Sequence, residues 1–116
     1  MLNKTHKPKR MFRMVTNVAA GGYWHSITPP NGIESISFSL KHISEVRLFV
    51  DGHNLLPCSS IKELEEAMRI IPWYNRISFH KGAATVRLDD IEPTNHVELS
   101  VYCEKKGNIN FFCLTK

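Results

Sequence analysis

Apolar and polar residues alternate along most of this 116-residue chain. Ile36, Phe38 and Leu40 fall on one side of an extended segment and Ser35, Ser37 and Ser39 on the other, the period of two of a half-buried strand. Val46, Leu48 and Val50 repeat the pattern and run into Asp51-Gly52, a dipeptide suited to backbone with positive φ. Further runs follow at Ile77 and Phe79, at Val86 and Leu88, at Val97 through Cys103, and from Ile109 to Leu114. Ahead of them, Phe12 to Val18 reads as a short first strand. The stretch between, with Gly21-Gly22 and Pro29-Pro30-Asn31-Gly32, reads as loop holding at most a short strand through Trp24 and Ile27.

One segment breaks the period. Ile61, Leu64, Met68 and Ile71 share a stripe of a helix over 61–71, with Lys62, Glu63, Glu65, Glu66 and Arg69 largely opposite. Ser60 followed by Glu63 fits a capping box at its start, and Pro72 stops it. The pattern thus predicts an α+β fold: a mainly antiparallel sheet of about six or seven strands, with one amphipathic helix packed on one face. Lys81-Gly82-Ala83 and Lys106-Gly107-Asn108 are expected as hairpin turns. A three-residue loop over 107–109 would set Cys103 opposite Cys113; a two-residue loop would set it opposite Phe112.

Composition adds one constraint and charge another. With 42% hydrophobic and 22% charged residues, the chain has the material for a single packed core without metal or disulfide staples. The formal charge of +4 is unevenly placed. Lys4, Lys7, Lys9, Arg10 and Arg13 lie in the first thirteen residues with no acid among them, and the other ten Lys and Arg face eleven Asp and Glu. Residues 1–11 are therefore read as a basic, flexible arm and 12–116 as a single α+β domain. No apolar stretch reaches the roughly 20 residues a bilayer span needs, and no apolar core follows the N-terminal charges as in a secretory signal. The expectation is a cytoplasmic protein, of a bacterium or of a host cell, with no membrane partner. Three cysteines, odd in number and without CxxC spacing, agree with a reducing compartment.

Candidate chemistry is sparse. His6, His25, His42, His53, His80 and His96 show neither HxH nor HExxH spacing, so no metal or other cofactor is expected. Cys58 before the helix could be a thiol activated by the helix dipole, but no His or Asp is spaced to serve it, and packing explains it as well. No residue is assigned a catalytic role. Two aromatic groups stand out instead, Tyr23-Trp24-His25 on the Gly-rich stretch and Trp73-Tyr74 after the helix. On loops such residues anchor protein partners; the plain alternative is that they fold over the edge of the core.

The leading functional expectation is a small, non-enzymatic interaction protein that binds and regulates or inhibits another macromolecule, with those five residues contacting a protein partner. The alternative is a nucleic-acid-binding module using Lys4, Lys7, Lys9, Arg10 and Arg13 of the arm together with Arg47, Arg76 and Arg87 of the strands. A third is an enzyme whose site gathers His53, His80 and His96 from distant loops.

Overall fold

The computed structural model describes residues 9–71 and 74–116. In chain order the elements are β1 (Met11–Val18), β2 (Tyr23–Ile27), β3 (Ile33–Ser39), β4 (Ile43–Val50), β5 (His53–Asn54), α1 (Ile61–Ile70), β6 (Ile77–His80), β7 (Ala83–Arg87), β8 (Val97–Cys103) and β9 (Gly107–Thr115). The strands form two antiparallel sheets, ordered β1-β9-β3-β7-β6 and β2-β8-β4-β5. With β6 set aside, the two orders interleave along the chain as in a jelly roll. Each sheet turns its apolar side to the same core, where Ile36, Phe38, Val86 and Phe111 of one meet Val46, Leu48, Leu99 and Val101 of the other. Phe38 and Phe111, cross-strand neighbours in register, touch as a tilted ring pair with centroids 5.6 Å apart.

The mainly antiparallel character, with a single helix among the described residues, follows the sequence pattern, but the layout differs from the expected one sheet under one helix. Among the described residues there are nine strands, and what covers each sheet is the other sheet. Ten helical residues, of which only Ile61 and Leu64 are buried, are too few to cover a five-stranded face. The helix instead contacts β4 of one sheet and β6 of the other, closing one margin of the sandwich. Half of the expected capping box is present at its start: the Ser60 hydroxyl accepts from the Glu63 N–H at 3.3 Å, while among the described residues the Glu63 carboxylate accepts no bond from the Ser60 N–H in return. It ends at Ile70, one residue early, because Ile71 precedes a proline and leaves helical backbone.

Two turns match their residues and one does not. Asp51-Gly52 and Lys81-Gly82 each place both residues at positive φ, the geometry that suits the twist of a two-residue hairpin, and they join β4 to β5 and β6 to β7. The turn before Gly107 is not a hairpin. β8 pairs with β2 and β4, β9 with β1 and β3, so the chain changes sheets through Glu104, Lys105 and Lys106. Cys103 therefore registers with Tyr23 and Ile43, Cys113 with Phe12 and Ile36, and all three thiols are free. Gly21 marks the turn from β1 to β2, where an added Cβ would collide with the Glu104 carbonyl.

Candidate binding face on the four-stranded sheet

Tyr23, Trp24 and His25 lie within strand β2, an edge of its sheet, rather than on a loop. Alternation along the strand separates them. Trp24 registers with Tyr102 and shares its outward face, while His25 registers with the fully buried Val101 and turns toward the core side. Tyr23 starts the strand and is 61% exposed. The His25 Nε2 is buried and among the described residues has no hydrogen-bond partner, a cost of about 1–3 kcal/mol for an ordinary unsatisfied polar group.

On the outward face Trp24 and Tyr102 meet edge to face, centroids 5.6 Å apart and planes at 72°. Arg47 of β4 reaches across, with its guanidinium carbon 4.2 Å from the centre of the Trp24 ring. The rest of that face is polar. Ser26 and Ser100 share a hydroxyl hydrogen bond of 2.6 Å, and the Ser59 hydroxyl donates to Glu45 at 2.9 Å. The aromatic group is thus a half-buried ring pair topped by a cation.

The remaining sequence candidates disperse. Tyr74 is half-buried and its hydroxyl donates to the Leu55 carbonyl at 3.1 Å; burial raises the phenol above its usual pKa, with Arg76 acting against it. Trp73, Lys4 and Lys7 lie outside the described residues. Lys9 pairs with Glu34 at 2.7 Å, and the Arg10 backbone exchanges hydrogen bonds with Thr115. Arg13 and Arg87 occupy the outward face of the five-stranded sheet, so they and Arg47 look out from different sheets of the sandwich. Arg76 grips Asp90 with two bonds of 2.6 and 2.7 Å and also donates to the Arg87 carbonyl, while Arg87 pairs with Asp89 at 3.1 Å. His53 and His96 stand near Asp51 at one end of the sandwich; His80, just before the Lys81-Gly82 turn, is at the other. Among the described residues no three of His, Cys, Asp and Glu gather as metal ligands would. Burial pushes the Cys58 thiol up in pKa, with Glu63 adding to it, opposite to what an activated nucleophile needs. Among the described residues no helix is long and apolar enough to cross a membrane.

Tyr102 joins this face without having been singled out in the sequence. Its signal was its place between inward-facing Val101 and Cys103; what hid it was that nothing in the sequence pairs β8 with β2. Comparison with family models, with characterised proteins and with solved structures finds no match to this chain.

Proposed function

We propose that this chain is a small non-enzymatic module that binds a protein partner through the outward face of its four-stranded sheet, and that it regulates or inhibits the partner by occupying its surface. The observation that carries the reading is the Trp24–Tyr102 pair with Arg47 over the indole. Trp, Tyr and Arg are the residue types that dominate binding energy at protein interfaces, and here all three converge beside an edge strand. Arg47 held on the ring loses little side-chain freedom when a partner arrives, which lowers the cost of association.

A nucleic-acid track has less support, since Arg76 and Arg87 already bind carboxylates and Arg47 faces away from them. The test is capture from the native cell, with and without nuclease, followed by isotherms of the captured protein against Trp24→Ala, Trp24→Phe and Arg47→Ala. The expected result is nuclease-insensitive capture and a loss of at least about tenfold in affinity for Trp24→Ala, partly restored by Trp24→Phe. Unchanged affinity in a folded Trp24→Ala variant would sink the proposal. Capture abolished by nuclease would replace it with the nucleic-acid reading.

A further inference from the structure

Strand β3 runs beside β9 only as far as the Phe38–Phe111 pair. Beyond Ser39 it leaves the five-stranded sheet, turns through Lys41 and His42, and enters the other sheet as β4 at Ile43. His42 sits at φ 65°, and its carbonyl accepts from the Glu104 N–H at 2.8 Å, tying this turn to the one between β8 and β9. The first residues of β9 are left paired with β1 alone. Where the strand departs a cleft opens, about 380 Å³ in volume, within the range of small-molecule sites.

Lys41, His42, Lys105, Lys106, Asn108 and Asn110 supply most of the cleft's polar lining, the remainder is largely apolar, and no carboxylate lines it. Among the described residues none of these three lysines has an acid within ion-pair distance, whereas Lys9, Arg76 and Arg87 at the far end of the sandwich each do. Two tied turns bring three lysines to the lining of one cleft, where a multiply charged anion would be attracted by all three at once while accepting hydrogen bonds from the asparagine amides.

We infer that this cleft is a binding site for a compact polyanion of the organic-phosphate class, a ligand with two or more phosphate groups close together. Its volume suits a small molecule, and its lysines offer point charges rather than the planar forks that would select a single carboxylate. The site lies apart from Trp24 and Tyr102 and stands independently of the function proposed for that face.

Titration of the full chain with inorganic tripolyphosphate, followed by amide chemical shifts and calorimetry, tests it. Shifts are expected at residues 41–43 and 105–110, with affinity falling about tenfold or more in the triple variant Lys41→Ala, Lys105→Ala, Lys106→Ala and falling again as salt rises. Lys62→Ala on the exposed helix face and Trp24→Ala should both bind as the parent does. Inorganic sulfate, singly placed, should bind far more weakly than tripolyphosphate. The proposal is overturned by shifts centred on the N-terminal arm, by equal affinity in a folded triple variant, or by no binding at millimolar tripolyphosphate in low salt. Since all three lysines are exposed turn residues, the triple variant should keep the parent's melting temperature.

Discussion

Arg76 and Asp90 clamp the connection that follows α1 to the one that follows β7. Their bidentate contact holds the Asp90 carboxyl below its usual pKa, chiefly through the hydrogen bond from Arg76 with the guanidinium charge adding to it, and the same bond raises Arg76. The Asp90 side chain is 52% exposed, so solvent screens much of the attraction and the effect is a matter of direction. A carboxylate with a depressed folded pKa stabilises above the unfolded value of about 3.9, and that contribution is lost as pH falls through the folded value. Denaturant unfolding of Asp90→Asn should therefore show lower stability than the parent at pH 7. The gap should begin to narrow as pH falls below about 4 and close only below the depressed folded value, where the folded parent's carboxylate is protonated too. Equal stabilities at pH 7 would mean that the bidentate geometry does not persist in solution.

Among the elements, α1 shows how a correct local reading coexists with a different placement. Its stripe is apolar for the reason the sequence suggests: Ile61 and Leu64 enter the core, and Met68 and Ile71 are half-buried. Only its target differs, a seam between two sheets instead of the face of one. Leu64 has no exposed surface, so Leu64→Ala loses transfer energy and leaves a cavity, with an expected cost of about 2–5 kcal/mol. Equilibrium unfolding gives the value; a loss below about 0.5 kcal/mol, the size of a surface effect, would place the helix off the core. Ile70 is 76% exposed, and Ile70→Ala serves as a control of similar chemistry whose cost should stay near that lower figure.

For the whole molecule the governing feature is sequence separation. β1 registers with β9 from Met11–Leu114 to Val18–Gly107, so the two ends of the chain close one sheet, with β9 lying between β1 and β3. Such pairings are bought by closing long loops before any contact rewards them. Refolding monitored by tryptophan fluorescence should accordingly be slow for this size, in the range of about milliseconds to seconds. A microsecond refolding phase that recovers the full native signal would contradict this topology.

Alternation set by hydrophobic burial made the strands legible: Ile36 and Phe38 against the serines, Leu99 and Val101 against Ser100 and Tyr102, each choice of face fixed by a period of two. The cap at Ser60 and the Asp51-Gly52 and Lys81-Gly82 hairpins were legible too, because each depends on backbone within a few residues. Partnership was not. An alternating strand carries the same pattern whether its inner face meets a helix or a second sheet, and whether its neighbour in sequence is its neighbour in space, so Cys103 and Cys113 could be read as one hairpin although their strands lie in different sheets. The same limit hid both candidate sites. Arg47 and Trp24 meet only because β8 lies between β4 and β2, and Lys41 lines one cleft with Lys105 and Lys106 only because the chain crosses from β3 in one sheet to β4 in the other beside the β8–β9 turn. Local preference, acting over a few residues, determined the elements and their faces; the entropy and packing of long-range closure, which no short window of sequence contains, decided which charges and rings came together.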